Sequence, residues 1–264
     1  MSGVAYSKGI PLEPTMLDVH PPHEAAHTWK DFFIHIATIV VGLLIAVGLE
    51  QGVEAIHQHR ERHELMEQLD AENHQVLKNA EDTGEATGRI LDWYAARMDA
   101  MEAVLTRQQP YRQPARPAPA NANSPDDPVW RAAKASGRTF ILSQQVVIAN
   151  SEVERLIDQR DASLASGTQF SNGSPTMACG RLPFQPDNLE TDYDHADKHD
   201  LQECFVNMMS LYKARRDTWV KNTYIIGAER AILAGETDID HINSYEVAEH
   251  NAQLAKLHPA PIPQ

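Results

Sequence analysis

Between Asp192 and Asp200 the chain concentrates side chains that could do chemistry: Asp192, Asp194, His195, Asp197, His199 and Asp200. His195 and His199 are four apart, a spacing that places both on one face of a helix. Imidazole and carboxylate together suit zinc or another divalent ion. A metal-dependent hydrolase, or a metal store, would require at least three of Asp192, Asp194, His195, Asp197 and His199 to converge. The plainer reading is electrostatic, because aspartates near a helix start are stabilised by the helix dipole whether or not a metal is bound.

Two other histidine groups are weaker. His57, His59 and His63 fall in HQHRERHE, near Glu54, Glu61 and Glu64, but no His-Glu pair is followed by histidine at metalloprotease spacing. His20, His23 and His27 lie in HPPHEAAH, a short tract of a kind that chelates metals loosely. The sequence contains no nucleophile elbow, phosphate loop, paired-cysteine metal motif or dinucleotide fingerprint, and no cofactor is expected from it. The two cysteines, Cys179 and Cys204, would close a loop of about 25 residues in an oxidising compartment, worth about 3 kcal/mol in the chain-entropy model. In a reducing compartment they would be two free thiols.

The element that must position all of this is the run Phe32 to Leu49, FFIHIATIVVGLLIAVGL, which has no formally charged side chain. Eighteen helical residues span about 27 Å, close to the hydrocarbon thickness of a bilayer. A membrane-spanning helix over 29–50 is predicted, with Trp29 at headgroup level. The segment before it is long and rich in Pro, His and acid, which fits an uncleaved signal anchor better than a cleaved signal peptide. The alternative is an apolar helix buried in protein. Gly42 and Ala46 stand four apart, as do Gly48 and Gly52, a spacing that lets a second spanning helix approach closely. His35, inside the run, is an intramembrane polar group, able to meet a partner helix or to reach the interface. The flanking charges (Lys30, Asp31, Arg60, Arg62) do not fix orientation. The short tail and the possible Cys179–Cys204 bridge favour a cytoplasmic N-terminus and a periplasmic body.

Residues 1–28 read as a disordered tail, broken by Pro11, Pro14, Pro21 and Pro22. An all-helical soluble domain is predicted over 51–258, with loops at 110–128 and 166–186 and a C-terminal tail at 259–264. Leu65, Leu69, Glu72 and Val76 trace one face of a helix that continues from the span. Gly84 is expected to mark a turn into a second helix carrying Ile90, Leu91, Tyr94, Met98, Met101, Val104 and Leu105 on one side. Asp126 or Asp127 should cap a helix over 129–165, with Pro128 in its first turn. That helix is apolar nearly all round from Phe140 to Ala149, as the most buried helix of a bundle would be. Helices over about 188–216, 217–234 and 238–257 complete the pattern, with Gly235 as a stop. The fold class is therefore all-α: a single N-terminal transmembrane helix continuing into a helical bundle.

The net charge of the whole chain is −14, and the part after Leu49 carries most of it. An acidic body disfavours nucleic acid as a partner. The segment Val19 to Gln51, VHPPHEAAHTWKDFFIHIATIVVGLLIAVGLEQ, resembles a family of small bacterial single-pass membrane proteins with a His/Pro-rich tail and a helical soluble domain. The resemblance rests on His20, Pro21, Pro22, His23, Trp29, Asp31, Phe32, Phe33, His35, Gly42, Glu50 and Gln51. It implies a bacterial inner-membrane protein and carries no activity with it. The functional expectation is an accessory or scaffolding subunit of a larger inner-membrane assembly. Its partners would be the lipid bilayer and either another membrane protein or a second copy, met through the spanning helix. Two alternatives stand beside it, a periplasmic small-molecule or metal-binding sensor module and the metal-dependent hydrolase. The few residues ahead of the span leave little room for the output domain a sensor would need.

Overall fold

The computed structural model describes residues 29–107, 114–173 and 198–257. Among these, all regular structure is helical: α1 (Trp29–Arg107), α2 (Pro128–Ala135), a 3-10 turn (Arg138–Ile141), α3 (Gln144–Gly173), α4 (Lys198–Leu233) and α5 (Ile239–Leu254). Two compact units divide between His57 and Gln58. The first holds the apolar part of α1. The second holds the remainder of α1 and every other described helix.

In the second unit the core forms three clusters, each anchored on a different stretch of α1. Leu65 and Leu69 pack with Trp130, Ala133 and Leu142. Val76 and Ala80 pack with Ala149, Val153, Leu156 and Ile157 of α3, with Ile225 and Ile226 of α4, and with Ile242 of α5. Leu91, Ala95, Met98 and Met101 pack with Leu201, Cys204, Met208, Tyr212 and Trp219 of α4. Both apolar faces expected for 65–76 and 90–105 are thus inward or partly buried.

Helix boundaries depart from the sequence expectation in four places. Gly84 is not a turn, since α1 passes through it unbroken. A Cβ at Gly84 would stand 3.0 Å from Asn222 Nδ2 and 3.6 Å from Ile226 Cδ1. The glycine lets α4 come close, and Asn222 Nδ2 uses that space to donate to the Ala80 carbonyl (2.6 Å). The expected break near 217 is also absent, because α4 carries no proline or glycine there and Asp217 pairs with Lys221 one turn on (2.7 Å).

Conversely, the single helix expected over 129–165 is interrupted. Gly137 adopts φ 75°, a left-handed conformation that ends α2 and begins the 3-10 turn. Phe140 on that turn is 76% exposed and Ile148 is 40% exposed, so the Phe140–Ala149 stretch is not the most buried part of the bundle. Fourth, α3 persists to Gly173, so the first residues of the expected 166–186 loop are helical. No proline intervenes before Pro175 to stop it. The stop at Gly235 is present, with φ 88° and its N–H donating to the Ile232 carbonyl (2.9 Å). Asp238 then caps α5, accepting from the N–H groups of Asp240 and His241.

Residues 114–127 are irregular but tied to α1. Trp93 Nε1 donates to the Pro114 carbonyl (3.1 Å), and Thr83 Oγ1 donates to the Asn123 carbonyl (2.9 Å). The guanidiniums of Arg97 and Arg116 stand 5.3 and 5.7 Å from the Trp93 ring centre. The strap delivers Pro128 to the start of α2, as the Pro-rich composition suggests.

Asp127 occupies the N-cap position of α2 but makes no side-chain cap bond. Its carboxylate accepts from Arg131 Nε instead (2.6 Å). The capping acceptor is Glu72 of α1, which takes the N–H groups of Val129 (2.5 Å) and Trp130 (2.9 Å). These are two of the donors that the first turn of any helix leaves unpaired. Replacing Glu72 with alanine is expected to lower the stability of the domain by about 2 kcal/mol, the upper range for a lost cap. Urea denaturation of the full chain in detergent measures this, and a midpoint matching the parent would show that the cap contributes nothing.

Candidate functional site

The apolar end of α1 is the most conspicuous surface. It is the one described helix long and apolar enough to cross a membrane, and none of its apolar window is buried. Leu43 and Leu44 are 63% and 64% exposed, a cost in water of roughly 1.5–3 kcal/mol for each such side chain left uncovered. A core helix of a soluble protein would hide these residues, and this one does not. Apart from the adjoining residues and backbone of α1 itself, no described atom lies within 4 Å of where a Cβ would stand on Gly42, Gly48 or Gly52, and Ala46 is exposed. His35 is exposed on the same helix. Thr38 satisfies its hydroxyl by donating to the Ile34 carbonyl (2.8 Å), as polar residues in spanning helices do.

The histidines that follow the apolar run do not converge. His57, His59 and His63 are exposed, and His63 faces Glu67 (3.4 Å) while Arg60 pairs with Glu64 (3.0 Å). Of the acidic–histidine cluster, Asp192, Asp194, His195 and Asp197 lie outside the described residues, as do His20, His23 and His27. His199 is exposed in the first turn of α4, beside Asp200. Among the described residues, no group of three or more His, Cys, Asp or Glu could hold a metal ion. Cys204 is fully buried and disulfide-bonded. The other cysteine of the chain, Cys179, lies outside the described residues.

What the sequence reading missed lies inside the bundle. Glu229 of α4 has no exposed surface, and neither of its carboxyl oxygens has a hydrogen-bond partner among the described residues. Burial drives its pKa well above the ordinary range, and the charges of Glu72 and Asp127 push it further the same way. Burial also raises Glu72 and Asp127, against the bonds that each accepts. Glu246 of α5 is a second buried acid, raised to about 7 by burial, with Glu152 adding to the effect and Arg155 opposing it. One signal was available: in YIIGAERAIL a lone glutamate sits one turn from Ile225 and Ile226. A charged residue on an apolar face costs several kcal/mol unless paired or neutral.

The α2–α3 surface carries a charge network around a shallow, open groove lined by Lys134, Ser151, Glu154, Arg155, Asp158 and Gln159, among others. Glu154 accepts from Lys134 (2.8 Å) and from Trp130 Nε1 (2.9 Å), and Arg131 reaches Asp158 (2.7 Å). These side chains hold α2 against α3 through one another, so the groove's charges are spent within the fold.

The geometry defines a class: a membrane-anchored helical protein, with one N-terminal apolar helix long enough to span a bilayer and a soluble helical domain after it. Comparison with known proteins does not refine that class, since no family model, curated protein or solved structure matches the chain.

Proposed function

We propose that this protein is an accessory or scaffolding subunit of a bacterial inner-membrane assembly, with its helical domain in the periplasm. The observation that carries the reading is the open space around Gly42, Gly48 and Gly52 on a helix whose apolar surface no described residue covers. Lipid alone would cover that surface. Small residues at four-residue spacing give a second spanning helix the close backbone approach that stabilises such pairs. The disulfide at Cys204 supports the periplasmic side, because such bonds persist in oxidising compartments. The resemblance of Val19–Gln51 to bacterial single-pass proteins supports the same membrane.

Mild detergent extraction of the tagged full-length protein from its native membranes tests this. The expected result is stoichiometric co-elution of a second membrane protein, or of further copies of the chain, lost when Gly42 and Gly48 are replaced by leucine. Elution as a detergent-bound monomer from native membranes would overturn it. Thiol labelling in intact cells should succeed only after reduction, and ready labelling without reductant would overturn the periplasmic placement.

A further inference from the structure

The apolar stripe of α1 runs on past the apolar run itself. After Leu49 come Glu50 and Gln51, and then Val53 and Ile56, which are 68% and 72% exposed. At 1.5 Å per residue these two stand about 6 and about 10 Å beyond Leu49 along the helix, past the length that acyl chains cover. Left in water, each costs roughly 1.5–3 kcal/mol. Counted back from Ile56 in alternating steps of three and four, the positions are Val53, Leu49, Ala46 and Gly42, and the next two steps reach Ile39 and His35. This is the 3.5-residue repeat of a left-handed helix pair. Every residue on the line is exposed, and the line lies wholly within the first compact unit, which ends at His57. The intramembrane polar group, the small pair Gly42 and Ala46, and the apolar residues beyond the bilayer therefore share one seam.

A second copy of the chain fits this seam. Two copies share one membrane topology, so their helices meet in parallel and each position faces its own counterpart. Gly42 and Ala46 then face themselves, which allows close backbone approach from both sides. His35 faces His35. A neutral imidazole carries one donor and one acceptor, so one ring can donate to the other inside the bilayer, with no polar group needed from a different protein. Flanking positions that meet across such a pair are Ile45 with Glu50 and Gly52 with His57, so no like charges are opposed there. β-Branched Val53 alternates with Leu49 in the manner that favours two strands. A helix pair this short is small beside the about 800 Å² per partner of a standard soluble interface. The shared bilayer makes up the difference by holding both copies at high effective concentration.

Resting on the subunit reading above, and naming the partner which that reading leaves open, we propose that α1 pairs in parallel with α1 of a second copy along the line from His35 to Ile56.

Oxidative cross-linking of the full chain in native membranes, with copper phenanthroline as the oxidant and one cysteine introduced at a time, tests the pairing. Among the described residues no cysteine is free, and Cys204 is already bonded, so the introduced thiol is the reactive one. Val53→Cys and Ile56→Cys should each give a band at twice the chain mass, at least about tenfold stronger than Gln51→Cys or Ala55→Cys on the outward side of the helix. Adding Gly42→Leu to the Ile56→Cys chain should weaken its band at least about threefold. Equal bands at all four positions would signal random collision and overturn the seam, and an Ile56→Cys band unchanged by Gly42→Leu would overturn it too. Absence of a band at Val53 and Ile56, with a different protein still co-eluting in mild detergent, would sink the second-copy pairing and leave the subunit reading standing. The same absence with elution as a monomer would sink both.

Discussion

Gly227→Ala is expected to unfold the α4–α5 pair, at a cost of about 3 kcal/mol or more. A Cβ at this position would lie 2.5 Å from Glu246 Cα, 2.8 Å from Glu246 N and 2.8 Å from the Tyr245 carbonyl oxygen. All three are backbone atoms of α5, so no rotamer change relieves the overlap. The helices must separate instead, and Ile225, Ile226 and Ile242 would lose their contacts with one another. Gly84→Ala is the internal comparison. There the nearest atoms are the ends of the side chains of Asn222 and Ile226, not backbone, and the net change should stay within about 1 kcal/mol, since loss of the Asn222–Ala80 hydrogen bond is offset by the helix preference of alanine over glycine. Urea midpoints for the two variants rank them, and a Gly227→Ala midpoint as high as that of Gly84→Ala would refute the close-approach argument.

Stability should also fall as the solution is taken from about pH 5 to about pH 8. The folded-state pKa of Glu246 is raised from 4.5 to about 7. Between those values the folded domain holds a proton that the unfolded chain has released. The stabilisation from this group is therefore complete below 4.5 and lost as pH rises through about 7. Its size is at most about 3 kcal/mol, 1.36 kcal/mol for each pKa unit. Glu229, Glu72 and Asp127, all raised, act in the same direction. Asp217 is lowered by its bonds to Lys221 and Ser163, and Glu154 is lowered by Lys134, Trp130 and Arg131 against its own desolvation. Those two contribute stability above their unfolded pKa values and lose it as pH falls through the folded ones. The optimum therefore lies on the mildly acidic side of neutrality. Glu246→Gln should flatten the decline between pH 5 and pH 8, and thermal unfolding of parent and variant across that interval measures it. An unchanged slope in the variant would assign the decline elsewhere.

How much of this was legible in the sequence depends on the range of the interaction concerned. The periodicity of Leu65, Leu69, Glu72 and Val76 is local, and it marked the buried face of α1 correctly. The same pattern placed Glu72 on that face without disclosing why an acid belongs there, because its partners, Val129 and Trp130, are 57 and 58 positions away. Gly84 was misread for the same reason. Locally a glycine weakens a helix, whereas here the position is decided by Asn222 approaching from another helix. Gly235 was read correctly because a left-handed stop is a local property. The apolar run was legible because a bilayer acts on length and composition, which one sequence displays in full.

The dependence of α2 on Glu72 sets an order of events. Eight residues are too few to hold a helix in water unaided, since nucleation costs more than so few turns return. A chain leaving the ribosome exposes its N-terminal part first. The acceptor carboxylate is therefore already seated on a long helix when Val129 and Trp130 emerge, and α2 winds onto a template made before it.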